Sequence, residues 1–555
     1  MSKKISEVEL KTDVLVVGAG AGGMMAAIGA ADLGSDVILC EIGNARRSGG
    51  IMAGNDHFWC YLPEIHSPAT KEKMIKDQMS IFGGQEEQVR RQVELTSEVL
   101  KMWEAWGVNM KTDGHYEFTG HGWPGSTGKY GEPGNTNREW LHFSDNNMCP
   151  KIEKQVRKRN VRIMNRVMVT ELIQDTSGRV EGAVGISTRE PTLYIINVRS
   201  VIINKGGVSA NRLYPPPYLF GYSMAQPGTG NGALMALRAG AELQDAEKCI
   251  RQVSLRFGPF AGKGTWIGIL VDNEGKPIAP PYLSKPDPEI GDPAVENADA
   301  LDQVWATGKG PVWMNPEGIT PEDERYMRWG FESEGMLPFL KWLDQEKIDI
   351  RKTRFEFTSM QPVCLLHIRV DENMRTKVQG LYGIPFGFLS LSAVGGLMAG
   401  RSAAGDCDAT TPLKTERRGT DISKLKNTYE AILNREGGRY ANWREAQKAV
   451  FQLMHCYALP PLRTGGTLAA GYHQLTRLRN RTRESLKADN WHDLYHCIEV
   501  LNLLDVAELV LLAVKERKES RGQARRMDYP FMNPMLNQPL VISQKDGRPV
   551  FTWQY

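Results

Sequence analysis

The sequence predicts an α/β protein that ends in a helical bundle, and three observations support this. An apolar strand, a glycine-rich turn and a helix follow one another over residues 13–33. Strand-rich segments punctuated by glycine follow over residues 162–207. Residues 418–525 then repeat apolar residues at helical spacing, as in Leu425, Tyr429 and Ile432. The 555 residues are enough for several domains of about 150 residues each.

The composition is that of an ordinary globular protein, with 41% hydrophobic residues, 24% charged residues and a net charge of +3. Lysine and arginine are scattered, so the basic stripe of a nucleic-acid-binding protein is missing. Charged and polar residues follow the basic amino end, which argues against a secretory signal. The sequence has no uninterrupted apolar run of membrane-spanning length. We therefore expect a cytoplasmic chain with no membrane span of its own, although a larger complex could still be membrane-associated.

The cysteines give no sign of a metal site. None of the eight forms a C-x-x-C pair or shows zinc or ferredoxin spacing. Isolated reduced thiols are the favoured interpretation, and a ligand set drawn from distant cysteines is the alternative. We expect no metal and no iron–sulfur cluster in this chain.

The glycine-rich turn has the pattern of a dinucleotide site. A strand at 13–17 leads to Gly18, Gly20, Gly22 and Gly23, and a second strand at 35–40 ends in Glu41. Such glycines allow a tight turn, close approach of the backbone to a pyrophosphate, and close packing of the helix on the sheet. The terminal acid is placed to accept hydrogen bonds from a ribose.

The block at 162–207 indicates which dinucleotide binds. It contains the strand residue Val169, and its last apolar strand runs into a Gly-Gly turn that includes Gly206. This order of a glycine fingerprint, a long insertion, a small β-meander and a returning strand resembles the glutathione-reductase-type FAD fold. Dehydrogenases that bind only NAD lack it, so we expect FAD.

Four further segments resemble the flavoproteins of fumarate reductase and succinate dehydrogenase. The first is 46–54, with Ser48, Gly49 and Gly50, and the second is 228–243, with Asn231. The third, 368–382, resembles the strand that returns the chain to the FAD domain in that family. The fourth, at 516–530, matches the family pattern R-x-E-S-R-G followed by R-x-D-Y-P. The resemblance implies that the loop at 46–54 runs against the flavin ring.

Departures from the family pattern bear on how the flavin is attached and on which substrate is bound. Gly49 stands where members with covalent flavin carry histidine, so we expect non-covalent FAD. Segment 361–368 lacks the family's substrate histidine, and 383–392, which includes Ser390, lacks its dicarboxylate arginine. Paired cations bind carboxylates well, so their loss argues against fumarate as the substrate. Adenylylsulfate reductase alpha subunits resemble this sequence in the same losses, and Arg256, in Leu-Arg-Phe, stands where they carry a substrate arginine. Their pattern is therefore the closest to this sequence.

The predicted organisation is a FAD-binding Rossmann domain of the glutathione-reductase type with an inserted capping domain. The FAD domain occupies 1–245 and 361–412, the cap 246–360, the helical domain 418–525 and a tail 526–555. The candidates for catalysis are Arg256, His57 and Gln361. The alternative for Arg256 is a surface ion pair, and the alternative for His57 is a structural, hydrogen-bonded histidine. The loop at 120–128 could cover a substrate or be an ordinary surface loop.

The leading functional hypothesis is a FAD-dependent oxidoreductase subunit that exchanges electrons with a separate iron–sulfur subunit. Its expected substrate is a small anion, either adenylylsulfate-like or an enoate. The alternatives are a non-catalytic electron-relay flavoprotein, and a stand-alone enoate or steroid reductase related to fumarate reductase. No residue is identified as the general acid.

Overall fold

The computed structural model describes most of the chain. The described residues are 4–52, 55–81, 83–111, 114–119, 139–204, 211–214, 228–250, 253–257, 266–280, 282–285, 298–333, 336–359, 363–385, 387–407, 422–436, 442–459, 463–521 and 524–554.

The described strands are mostly short. They are β1 (Ser6–Lys11), β2 (Val14–Val17), β3 (Val37–Glu41), β4 (Asn55–Trp59), β5 (Glu117–Thr119), β6 (Trp140–Asp145), β7 (Arg162–Asn165), β8 (Val167–Gln174), β9 (Val180–Ser187), β10 (Thr192–Asn197), β11 (Ser200–Ile203), β12 (Leu243–Gln244), β13 (Cys249–Ile250), β14 (Val253–Leu255), β15 (Ile269–Val271), β16 (Val312–Asn315), β17 (Phe355–Ser359), β18 (Val363–Cys364), β19 (His367–Ile368), β20 (Leu381–Gly383), β21 (Leu540–Lys545) and β22 (Arg548–Trp553).

The described α-helices are longest towards the carboxyl end. They are α1 (Ala21–Ala31), α2 (Pro68–Ile81), α3 (Glu86–Glu94), α4 (Thr96–Ala105), α5 (Met148–Lys158), α6 (Asn231–Arg238), α7 (Ala298–Ala306), α8 (Pro321–Ser333), α9 (Leu337–Gln345), α10 (Leu389–Gly405), α11 (Ile422–Leu433), α12 (Trp443–Ala458), α13 (Gly465–Ser485) and α14 (Trp491–Glu516).

A five-stranded parallel sheet in the order β20-β11-β2-β3-β7 forms the centre of the FAD-type domain. Its middle strands are apolar along their whole length, as in Val-Leu-Val-Val of β2, because both faces are covered. Helices α1 and α10 pack closely. A Cβ added to Gly396 of α10 would lie 1.9 Å from the carbonyl oxygen of Gly22 in α1. Glycine is therefore required where the two backbones meet.

The predicted β-meander forms a second sheet in the order β1-β10-β9-β8. Strands β8, β9 and β10 pair antiparallel, and the amino-terminal β1 adds to β10 in parallel. The chain then returns to the central sheet through β11. This arrangement puts the end of β11 next to the end of β2, where the glycine turn begins.

The segment between β13 and β18 forms a unit with its own hydrophobic core. The sheet β14-β17-β16-β15 packs with α7, α8 and α9 around the buried Trp266 and Phe357. The unit contacts the FAD-type domain through α8, where Tyr326 and Trp329 meet His142 of β6.

The carboxyl-terminal part combines helices with a β-hairpin. Helices α12, α13 and α14 pack against one another. The hairpin β21–β22 extends a sheet in the order β19-β12-β21-β22, so the end of the chain is joined to the strand that follows α6. Among the described helices, none has both the length and the apolar character needed to cross a bilayer.

Candidate functional site

The glycine turn between β2 and α1 is held by backbone contacts that exclude side chains. Gly18 has a φ of +95°, and its N–H donates to the Cys40 carbonyl oxygen at 2.8 Å. A Cβ on Gly23 would lie 1.8 Å from the carbonyl oxygen of Gly18. Gly20 precedes the first turn of α1 without a side-chain cap. The first N–H groups of α1 are therefore available to a phosphate.

Glu41, at the end of β3, fixes the geometry of this turn. Its buried carboxylate accepts hydrogen bonds from Ala19 N at 2.7 Å, Gly43 N at 2.8 Å and the Ser48 hydroxyl at 2.7 Å. The structure thus brings Glu41 and Ser48 together with the glycines. Each carboxylate oxygen can accept more than one hydrogen bond, which leaves acceptor capacity for ribose hydroxyls.

The loop that follows β3 crosses the glycine turn. Gly49 has a φ of +69°, and a Cβ there would lie 2.8 Å from the Cα of Gly20. A histidine at position 49 would therefore clash with the turn itself. The space around the Cα of Gly50 is open, with no atom within 4 Å of an added Cβ.

Asn204 adds a polar side chain to this cradle, and Ser390 lies on α10, the helix that packs against α1. Asn204, which directly follows β11, donates from Nδ2 to the Gly18 carbonyl oxygen at 3.2 Å. Ser390 lies in the first turn of α10, fully buried, and its hydroxyl has no hydrogen-bond partner among the described residues. A buried hydroxyl without a partner is costly, and a water molecule or a polar group of a ligand can supply the missing partner. Asn204 was missed in the sequence, although it directly follows a predicted strand.

Asn231 and Val169, predicted to contact the cofactor, contact each other. The Asn231 side chain donates to the Val169 carbonyl oxygen at 2.7 Å and accepts from Asn502 Nδ2 at 2.8 Å. Both polar ends of this amide are therefore used to join β8, α6 and α14. Gly206 lies outside the described residues.

Arg256, the first candidate for substrate contact, lies in the inserted unit and is ion-paired. Its guanidinium is 2.5 Å from Glu356 and stacks over Trp305 at 5.0 Å. The side chain is 36% exposed. An anionic ligand would have to compete with Glu356 for this arginine.

His57 lies in β4 opposite His142 of β6, and their ring centroids are 4.4 Å apart. His142 is fully buried and packs against Trp329 of the inserted unit. The His57–His142 pair therefore lies where the two units meet. Gln361 and the loop at 120–128 lie outside the described residues.

A second polar cluster joins α14 to the segment 211–214. The Glu499 carboxylate is fully buried, 2.8 Å from Arg212 and 2.7 Å from Nδ1 of His496. Tyr495 also donates to it at 2.9 Å. Burial alone would raise the pKa of Glu499, but the His496 hydrogen bond and the Arg212 charge outweigh burial and lower it. Sequence spacing could not show this cluster because Arg212 and Glu499 are far apart in the chain.

The family pattern near the carboxyl end is a buried ion-pair network. Arg517 donates to Glu247 at 2.8 Å and to Glu519 at 2.6 Å, and Arg521 also binds Glu519 at 2.9 Å. Arg526 caps the end of α14 by donating to the Val514 carbonyl oxygen at 2.8 Å. These residues join α14, the tail and the strand region after α6, and their role is structural.

Comparisons with known proteins place these features in a family. The FAD binding domain family matches residues 13–276, and the family described as fumarate reductase flavoprotein C-term matches residues 448–546. The chain belongs to the fumarate reductase and succinate dehydrogenase flavoprotein superfamily. It is an FAD-dependent oxidoreductase. The family, the fold class and the FAD cofactor predicted from the sequence are thus confirmed.

Relatives of this flavoprotein match it along nearly its whole length. One is a component of the CoM/CoB fumarate reductase of Methanothermobacter marburgensis, which is 24% identical over 96% of this chain and 97% of its own. Another is the fumarate reductase flavoprotein of Haemophilus influenzae, which is 23% identical over 97% of this chain and 93% of its own.

Solved structures of two kinds share the fold. Adenylylsulfate reductase of Archaeoglobus fulgidus gives a TM-score of 0.80 at 19% identity, covering 99% of this chain and 96% of its own. A quinol fumarate reductase flavoprotein of E. coli also gives 0.80, at 20% identity, covering 98% and 96%. The fold therefore does not separate these two branches.

Proposed function

We propose that this chain is the catalytic flavoprotein subunit of a multi-subunit reductase or dehydrogenase, with a small anionic substrate and an iron–sulfur partner. The glycine turn, Glu41 and Ser390 fit FAD and would hold it without a covalent bond. Bound FAD supplies two-electron chemistry with a substrate and single-electron transfer to a partner. The cytoplasm is the compartment that we expect.

The observation that carries the partner assignment is an apolar surface on the tail. Met527, Phe531, Met532 and Met535 are each between 57% and 70% exposed. Clustered exposed methionine and phenylalanine side chains are typical of protein-binding surfaces. We call these four residues the tail surface.

The ion-pair network holds the tail surface in place. Ser520 N donates to the Phe531 carbonyl oxygen at 2.9 Å, and Arg521 donates to the Asn533 carbonyl oxygen at 3.0 Å. Asn533 N in turn donates to Glu519 at 2.8 Å. A surface fixed in this way loses little conformational entropy on binding, which favours a stable partner.

Affinity purification of the tagged chain from its native host tests the partner assignment. Wild-type protein should retain an iron–sulfur protein, recognised by its visible absorption and its iron content. Phe531→Asp should reduce that retention at least tenfold, a loss of about 1.4 kcal/mol. Leu33→Asp changes a similarly exposed apolar residue just after α1 and should have no effect. Equal retention by both variants would contradict the proposed surface.

The substrate assignment rests on one arginine of the inserted unit and on the departures from the dicarboxylate pattern. Arg256 is the candidate for anion binding, and its ion pair with Glu356 keeps its guanidinium oriented before substrate arrives. Trp305 under the guanidinium limits its mobility further. An anion that displaces Glu356 would therefore bind a side chain that is already ordered, so its binding would cost little side-chain entropy.

Stopped-flow reoxidation of the reduced protein tests the substrate class. Adenylylsulfate or an enoate should reoxidise the flavin faster than buffer does, and Arg256→Gln should raise the half-saturating substrate concentration at least tenfold. Arg351→Gln is the matched control, because Arg351 is also 36% exposed and ion-paired, with Glu324. If neither ligand class reoxidises the flavin while the iron–sulfur partner does, the chain is an electron relay.

A further inference from the structure

Two cysteines face each other at the base of the inserted unit. The chain enters this unit after β13 and leaves it at β18, and these strands pair antiparallel with Cys249 opposite Cys364. Their sulfur atoms are 3.1 Å apart. Among the described residues, β13 and β18 form a sheet of only two strands. The two thiols therefore lie at the base of the inserted unit, beside the places where the chain enters and leaves it.

The distance between the thiols suits a disulfide. Residues directly opposite in an antiparallel pair have Cα atoms about 4.5–5.5 Å apart, within the range that disulfides span. The Sγ atoms need to approach by roughly 1 Å to reach the bonded distance of about 2.05 Å. Rotation about the two Cα–Cβ bonds can supply a shift of this size, so the strand pairing can be retained.

The surroundings keep the Cys364 thiol protonated and shield both thiols from solvent. Cys249 and Cys364 are buried. The hydrogen bond that the Cys364 thiol shares with Cys249, together with burial, raises the pKa of Cys364 well above its usual value, although the nearby Arg463 charge opposes this. Oxidation therefore requires opening of the β13–β18 pair, which exposes the thiols and lets one ionise. The conformation of the inserted unit and the reactivity of the pair are thus coupled.

We propose that Cys249 and Cys364 form a reversible disulfide that restricts movement of the inserted unit. A small-molecule disulfide is the oxidant. One cysteine thiolate attacks it and expels the first small thiol, and the second cysteine attacks the mixed disulfide and expels the second. The protein loses two hydrogens and two electrons, the S–S bond forms, and the oxidant leaves as two thiols.

The cross-link joins residues 115 positions apart. It holds the two strands that carry the inserted unit, so a hinge motion at this junction is reduced. If that motion admits small molecules to the flavin, the oxidised protein should react more slowly with them. Reducing agents should restore the rate.

The test treats FAD-loaded protein with 2-hydroxyethyl disulfide, an acyclic small-molecule disulfide that is reduced to two molecules of 2-mercaptoethanol. Peptide mass spectrometry after alkylation should find Cys249 linked to Cys364, with a mass lower by two hydrogens. Flavin reduction by dithionite should slow at least fivefold and recover with dithiothreitol. Cys364→Ser and Cys249→Ser should each abolish both effects.

The matched control is Cys497→Ser, which removes a buried thiol far from any other described cysteine in sequence. In this variant the Cys249–Cys364 link should form, and flavin reduction by dithionite should slow as it does in the wild type. The proposal is overturned if no such link forms in oxidised wild type. It is overturned equally if the link forms and the reduction rate is unchanged.

Discussion

Replacing Glu41 by glutamine should weaken FAD binding through the glycine turn. The carboxylate accepts three hydrogen bonds, from Ala19 N, Gly43 N and the Ser48 hydroxyl. A glutamine amide keeps one oxygen, so one of the two sides of the group turns from acceptor to donor. With the oxygen towards Ala19 and Ser48, the bond from Gly43 N is lost.

The size of the effect follows from these contacts. A hydrogen bond to a charged group contributes about 1.5–3 kcal/mol, and the lost Gly43 bond costs an amount in that range. The bonds from Ala19 and Ser48 become neutral and weaken by about 1 kcal/mol each. The turn is therefore less stable by about 3–5 kcal/mol. If FAD binding must supply about a third of this free energy to order the turn, the dissociation constant rises about tenfold.

Titration of the apoprotein with FAD, followed by quenching of flavin fluorescence, measures this constant. Thermal unfolding of the apoprotein measures the effect on the turn itself. Glu98→Gln is the control, because Glu98 is a 36% exposed partner of Arg401 and should change stability by less than about 0.5 kcal/mol. Wild-type affinity of the Glu41→Gln protein for FAD would refute the role assigned to this carboxylate.

Four further substitutions should have separable effects. Gly396→Ala places a Cβ against the α1 backbone and should destabilise the protein by about 1–3 kcal/mol in urea unfolding. Gly405→Ala on the same helix meets no atom within 4 Å and should be neutral or slightly stabilising. Arg517→Met removes the cation that the buried Glu247 and Glu519 share, although Glu519 keeps Arg521, and should cost about 3–5 kcal/mol, measured in the same way. Because the pKa of Glu499 is lowered in the folded state, its ionised form stabilises the protein above the unfolded pKa, and this contribution is lost as the pH falls through the folded value. The urea midpoint of Glu499→Gln should therefore change less than that of wild type between about pH 5 and pH 3.

Local features of the site were predictable because they arise within one stretch of chain. The glycines at 18, 20 and 23 and the acid at the end of β3 lie within a single β-α-β unit, whose chemistry can be inferred from spacing. The expectation of non-covalent FAD likewise rests on one position, Gly49, where a Cβ would lie 2.8 Å from the Cα of Gly20.

Contacts between distant segments were not predictable. The Cys249–Cys364 pair, which the sequence suggested were isolated thiols, depends on how the inserted unit returns to the FAD-type domain. The bond between Asn231 and Asn502 likewise joins α6 to a helix 271 positions away. Hydrophobic periodicity identifies the helices, but it carries no information on which polar side chains meet.

The flavin content of the native protein tests the central claim most directly. The holoprotein should be yellow, and acid denaturation followed by ultrafiltration should release stoichiometric FAD into the filtrate. Flavin that stays on the denatured chain would contradict non-covalent binding at the glycine turn. A folded, colourless protein that takes up no added FAD would contradict the account as a whole.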